Sequence, residues 1–168
     1  SSHYSVMVKG LSQLFVAGPP LVNALGGEQV DKESLGSSRV HTRNGAIDDE
    51  VVSEAEAFER ARRFLSYLPS SVYELPERGP ITDRSDRTDS SLAGVVPRDR
   101  RKVYKMRTII ESVFDTGSFF EIGKDWGRSA ICGLARLDGW PVAVLSNDPY
   151  HYGGGWTADS SNKVTRFV

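Results

Sequence analysis

Apolar positions recur along this chain in two rhythms, and the switches between them mark its elements. Tyr4-Ser5-Val6-Met7-Val8 alternates and Gln13-Leu14-Phe15-Val16-Ala17 is a short apolar run, which predicts two strands separated by Gly10-Leu11-Ser12. Gly18-Pro19-Pro20 ends the second and opens a helix over Pro20 to Leu25, closed by Gly26-Gly27 as a left-handed cap. Asp31 to Leu35 reads as a further helical turn ending at Gly36, and Ser37 to Asp49 as a polar stretch. The clearest helical pattern follows. Ser53 and Glu56 form a capping box, and Ala57, Phe58, Ala61, Phe64, Leu65 and Leu68 recur at helical spacing until Pro69. Glu59, Arg60, Arg62 and Arg63 occupy the remaining positions and read as a solvated face.

Periodicity is lost from 70 to 100, where Pro76, Pro80 and Pro97 punctuate runs such as Asp83-Arg84-Ser85-Asp86-Arg87. Such a stretch is expected to be a linker, stiffened by proline, with Leu92, Val95 and Val96 available to pin it to a surface. Order returns with Val103, Met106, Ile109, Ile110 and Val113, a helix stopped by Asp115-Thr116-Gly117. Phe119-Phe120-Glu121-Ile122 is a predicted strand. Ser129 to Arg136 and Pro141 to Leu145 are predicted to pair as a hairpin, because Asp138-Gly139 suits a turn with two positive φ angles. Asp159 then opens a helix still running at Val168, as if the chain were a piece of something longer.

Composition narrows the class. The 168 residues are 39% hydrophobic and 26% charged, with 21 basic against 22 acidic side chains and a formal charge of −1, so no global field draws in nucleic acid or anionic lipid. No run approaches the roughly 18 apolar residues that would span a bilayer, so no membrane insertion is expected. Cys132 is the single cysteine; it rules out an internal disulfide, points to a reducing compartment and reads as a small buried hydrophobe. His3, His41 and His151 fall in no metal-ligand spacing and no metal site is expected. There is no G-x-S-x-G elbow, and no carboxylate pair stands out.

One junction remains as candidate chemistry. The run Pro141 to Leu145, the turn holding Tyr150, His151, Tyr152, Gly153, Gly154 and Gly155, and the helix after it give the order strand, glycine loop, helix. Such a junction presents backbone N–H donors, suited to an anion or an enolate-like oxygen. Neither the Walker spacing nor GxGxxG is present. If the chain is catalytic, main-chain donors are better placed than any side-chain nucleophile.

Several motifs in one order carry a resemblance. Leu14-Phe15-Val16-Ala17-Gly18-Pro19-Pro20-Leu21-Val22 is similar to "LF-x-x-GP-x-x-V" in the carboxyltransferase (β) subunits of biotin-dependent acyl-CoA carboxylases, the propionyl-, acetyl- and methylcrotonoyl-CoA carboxylase family. Gly27-Glu28-Gln29-Val30, Glu33-Ser34-Leu35-Gly36 and His41 resemble its "GE-x-V…E-x-LGG-x-x-x-H" run. Phe119 to Ile122 matches "FFEI", Gly133-Leu134-Ala135-Arg136 resembles "GFAR", and Asp159 to Val168 resembles "(D/N)-x-SS-x-K-x-ARFV". Gly36-Ser37 departs from the paired glycine, Asn44-Gly45 from Ser-Gly, and Tyr150 to Trp156 makes a bulkier, more aromatic loop.

The resemblance implies an α/β fold, the crotonase-like ββα superhelix, with parts of two related domains: 1–70 closing the first, 71–100 a linker, 101–168 opening the second. It implies carboxyl transfer from carboxybiotin to an acyl-CoA, with enolates steadied by backbone N–H groups, and a piece of this length inactive alone. The alternatives are the α subunit of a biotin-dependent acyl-CoA decarboxylase, or a non-catalytic assembly module of the same fold. Biotin on a partner carrier and a coenzyme A thioester are the implied cofactor and substrate. Implied partners are a biotin carboxylase/biotin carrier subunit and further copies of the chain, in the cytoplasm or, in a eukaryote, the mitochondrial matrix. By position in that fold Asn147, Tyr152, Gly153, Gly154 and Gly155 are the expected substrate or biotin contacts, with Tyr152 as a wall for biotin. His41 is expected to bond nearby backbone, Asp159, Ser160 and Ser161 to cap a helix, and Lys163 to be a surface or interdomain charge.

Overall fold

The computed structural model describes residues 2–26, 29–81 and 83–168. Strand β1 (Val6–Val8) is followed by helices α1 (Pro19–Gly26), α2 (Lys32–Gly36) and α3 (Ser38–Arg43) before the chain returns as β2 (Asp49–Val51). The two strands are parallel, with Met7 opposite Glu50. Helix α4 (Glu54–Leu65) packs across them. Beyond the punctuated stretch and a single turn, α5 (Leu92–Val95), come α6 (Met106–Val113), β3 (Phe120–Ile122), β4 (Ala130–Leu137), β5 (Trp140–Asn147), a 3-10 turn at Tyr152–Gly154 and α7 (Ala158–Phe167). Strands β3, β4 and β5 form an antiparallel sheet in that order.

The hairpin closes as its sequence requires. Leu137 pairs with Trp140, and the two turn residues Asp138 and Gly139 take φ of 52° and 79°. Side chains alternate across β4, so one strand serves two cores. Ile131 and Ala135 join Val144 and Ile110 of α6 on one face; Ala130 and Cys132 meet Val164 and Phe167 of α7 on the other. Cys132 is fully buried, as a small hydrophobe would be.

The run 13–17 is not a strand. Gln13 makes one bridge to Ser37, while Leu14, Phe15 and Val16 stay exposed. Gly18-Pro19-Pro20 ends extension at once, and among the described residues no strand lies alongside to pair with it. The run instead lies over the start of α3: Leu14 N–H donates to the Gly36 carbonyl, and the Leu14 carbonyl accepts from His41 Nε2 at 2.5 Å. His41 is thus the backbone-bonding residue expected. Inside the supposed polar stretch lie all of α3 and the start of β2, hidden because α3 has a single apolar residue, Val40, and β2 buries a carboxylate, Asp49. The cap expected at Gly26-Gly27 extends beyond the described residues. Helix α7 is capped by Thr157, not Asp159: Thr157 Oγ1 accepts from Ser160 N–H while Ser160 Oγ accepts from Thr157 N–H.

The polar face of α4 is only partly solvated. Arg60 donates to Asp49 Oδ2 (2.7 Å), Tyr4 Oη (2.7 Å) and the Glu121 carbonyl (3.0 Å), with its guanidinium carbon 4.3 Å from the centre of the Phe120 ring. Arg63 reaches the carbonyls of Gly117 and Phe119. Beneath them Tyr4 stacks on Phe64 and meets Phe120 edge-on, at centroid distances of 5.0 and 5.4 Å. The stretch 70–100 is held both by α5, whose Leu92 and Val95 are half-buried where it packs on α6, and by polar bonds: Arg87 donates to the carbonyls of Ser112 and Phe114, Asp83 accepts from Thr116 N–H, and Arg78 pairs with Asp138. Val96 remains exposed.

Two measurements check this packing. A Cβ at Gly36 would lie 2.5 Å from the Leu14 carbonyl oxygen and from the Phe15 ring, whereas one at Gly94 meets nothing within 4 Å. Gly36→Ala is therefore expected to cost about 1–3 kcal/mol in urea unfolding and Gly94→Ala under about 0.5 kcal/mol; equal midpoints would contradict the close approach. Burial, followed by the Asp49 carboxylate, raises the Tyr4 phenol above its ordinary range. An unfolded phenol ionises near about 10, so the Tyr4 contribution is complete below that pH and is lost as pH rises toward the folded value. Tyr4→Phe should flatten the alkaline fall in stability relative to the parent; identical slopes above about pH 10 would refute the assignment.

Candidate functional site

The glycine turn is built from its root upward. Strand β5 ends at Asn147, and the next residue, Asp148, is 3% exposed and bound on every side. Its Oδ2 accepts from Arg107 Nη1 of α6 at 2.6 Å, its N–H donates to the Ser129 carbonyl at 2.8 Å, and its Oδ1 accepts from Tyr150 N–H at 3.1 Å. Arg107 also grips Glu121 through two bonds of 2.6 and 2.7 Å. Those Glu121 bonds, together with Asp148, raise its pKa further above the ordinary guanidinium range and keep it charged. Helix α6, strand β3 and the root of the turn are thereby locked together.

Above the root the backbone is left-handed three times in succession, at Tyr152 (φ 53°), Gly153 (63°) and Gly154 (78°). Only Tyr152 carries a side chain there, a conformation that costs a non-glycine residue of order 1 kcal/mol. A Cβ at 154 would in addition force the Asn147 side-chain amide to move. The strand, glycine loop and helix follow in the expected order, but two of the expected donors turn inward. Gly154 N–H donates to the His151 carbonyl at 2.9 Å and Gly155 N–H to the Tyr152 carbonyl at 3.0 Å. At the helix start Ser160 N–H is taken by Thr157.

Asn147, Gly154 and Gly155 come together on the wall of a cavity of about 220 Å3, with Ser129, Leu145 and Trp156. Gly153 and Tyr152 are not on that wall, and Tyr152 is 82% exposed. The aromatic wall is Trp156, which sequence reasoning registered only as added bulk. Ser129 was missed altogether; its Oγ is buried and has no hydrogen-bond partner among the described residues. A serine at the start of a strand gives no pattern by which to find it.

A second cavity, of about 300 Å3, opens where the two halves of the chain meet, between α4, the loop after β3, and α7. Arg166 spans its edge, bonding Asp48 and the Gly45 carbonyl. Lys163 lines it and is not a surface charge: α7 lies on β4, leaving Lys163 4% exposed with Nζ donating to the Ala130 carbonyl at 2.7 Å. Burial lowers its pKa, offset in part by the Glu121 carboxylate. Burial raises the Cys132 thiol, which keeps it protonated and unreactive.

The chain is similar to known proteins over its whole length. Residues 1–168 match the family described as carboxyl transferase domain. The propionyl-CoA carboxylase beta chain of Roseobacter denitrificans is 37% identical over 163 residues, covering 96% of this chain and 32% of that protein. The biotin-dependent long chain acyl-coenzyme A carboxylase beta4 subunit of Mycobacterium tuberculosis is 32% identical over 165 residues, 97% of this chain and 32% of that one. Among solved structures, transcarboxylase 12S with hydrolysed methylmalonyl-coenzyme A bound superposes with a TM-score of 0.91 at 25% identity, over 99% of this chain and 33% of that one. The chain thus spans about a third of the length of these relatives, and it has their crotonase-like fold. By a match running from its first residue to its last, this chain belongs to the carboxyl transferase domain family.

Proposed function

We propose that the chain is the middle third of a carboxyltransferase that moves a carboxyl group from carboxybiotin to an acyl-CoA. The observation that carries this reading is the whole-chain match in family and in fold to enzymes named for that chemistry. Carboxybiotin, when bound, would supply the carboxyl group and leave as biotin. The cavity beside the glycine turn suits its flat, uncharged, hydrogen-bonding ring. It has one aromatic wall, Trp156, the exposed side-chain amide of Asn147, and the unpaired hydroxyl of Ser129 behind it. Asn147 is the contact residue in this reading, Gly154 allows its close approach, and the bonds from Arg107 to Asp148 fix the root that aims it. Tyr152 and Gly153 stand outside the cavity, where they can meet a carrier or a neighbouring subunit.

The division into 1–70, a connector over 71–100 and 101–168 belongs to the same reading. The parallel and antiparallel sheets lie on either side of a stretch whose one helix is four residues long. The 12S structure is described as a hexamer assembly. A homo-oligomer served by a biotin carrier and biotin carboxylase follows for the whole protein. One observation favours a second reading, a non-catalytic module. The Gly154 and Gly155 N–H groups are engaged within the turn, so this loop offers no oxyanion donors from those two.

A graft separates the readings. The 168-residue chain alone is expected to transfer no carboxyl group between methylmalonyl-CoA and free biotin. Replacing the matching third of the Roseobacter denitrificans beta chain with it should give an active enzyme. In that hybrid Asn147→Ala is expected to lower kcat/KM about tenfold or more, the loss of one polar contact in a dry site, and Gly154→Ala at least as much. A folded, oligomeric hybrid without transfer would support the non-catalytic module, and transfer by the isolated chain would refute the division of labour.

A further inference from the structure

The cavity between the two halves plays no part in the reaction argued above. Its wall is mainly apolar, with Phe64 and Leu68 from the α4 side, Trp126 from the loop before β4, and Phe167 from α7. At about 30 Å3 for a water-sized group, its 300 Å3 takes on the order of ten non-hydrogen atoms. Three charged side chains line it: Asp48, Arg166 and Lys163. Asp48 is committed, accepting from Ser5 N–H and Oγ as well as from Arg166. Lys163 is not. Its one hydrogen-bond partner among the described residues is a neutral carbonyl, and no carboxylate there lies within 4 Å of it. The nearby anions Glu121 and Asp49 are held by Arg107 and Arg60. A nearly buried ammonium with one of its three donors satisfied is costly unless an anion or further acceptors complete it.

We propose that this cavity binds a small aliphatic monocarboxylate, a chain of about six to eight carbons by volume, with its chain against Trp126 and Phe167 and its carboxylate at Lys163. An apolar pocket in which Lys163 is the unpaired cation among the described residues selects such a molecule over an alcohol or amine of the same shape. The site is separate from the glycine turn and stands whether or not the chain takes part in carboxyl transfer.

Trp126 on the wall is the reporter. With Trp140→Phe and Trp156→Phe in the 168-residue chain it is the sole tryptophan. Titration with octanoate should give a saturable change in its fluorescence, while octanol binds about tenfold more weakly or worse and octylamine weaker still. Lys163→Met should abolish the preference for the carboxylate and leave octanol unaffected. Leu68→Phe, which narrows the cavity, should weaken both ligands alike. The comparison of three ligands on the parent chain decides the matter even if Lys163→Met does not fold. Equal affinity for acid and alcohol, or no saturable response to octanoate, would overturn the proposal.

Discussion

Everything else in this fold depends on one guanidinium. Arg60 lies between an acid of β2, a phenol before β1, and both a carbonyl and the Phe120 ring of β3, so three separate segments share one cation. Asp49 is 3% exposed. An acid so buried is tolerable only while its cation is present, and removing one partner of such a pair costs about 3–5 kcal/mol because the other charge is left stranded. The aromatic cluster of Tyr4, Phe64, Tyr67 and Phe120 supplies the apolar half of the same junction. Apolar burial provides the gross stabilisation here, and the ion pair fixes which way the two halves face one another.

From that junction the constraints run outward in order. Glu121, whose carbonyl bonds Arg60, gives its carboxylate to Arg107; Arg107 holds Asp148; Asp148 roots the turn that presents Asn147. Each link is a charge-assisted bond or a backbone bond, short and directional. Asn147 therefore stands on a rigid base even though it is exposed, which is the arrangement a contact residue needs. The glycines do a different job from the one their spacing suggests. They permit a left-handed path and a close approach to Asn147, and two of their amides close the turn rather than face a ligand.

Legibility along the chain followed how local the determining force was. The β4–β5 hairpin and the α4 cap were readable because Asp138-Gly139 and Ser53…Glu56 act within a few residues. Even there a detail escaped, since the Glu56 carboxylate closes on the N–H of Val52, one residue before the cap. Helix α3 and strand β2 were unreadable because what stabilises them lies elsewhere. Thr42 bonds within α3, while Ser38 bonds Glu50 of β2 and Asp49 bonds Arg60 of α4. The run 13–17 misled for the converse reason, having strand composition and, among the described residues, no strand to pair with.

The sequence by itself determined the family, the helices and strands with strong local signals such as α4 and the β4–β5 hairpin, and the turn chemistry, because motif order and positive-φ residues are properties of neighbouring positions. Tertiary structure alone decided which side chains meet. It buried Lys163, placed Trp156 rather than Tyr152 beside Asn147, and turned two glycine amides inward. Lys163 is buried because α7 packs on β4, where its Nζ meets the carbonyl of Ala130 33 residues earlier, and no local pattern encodes that contact.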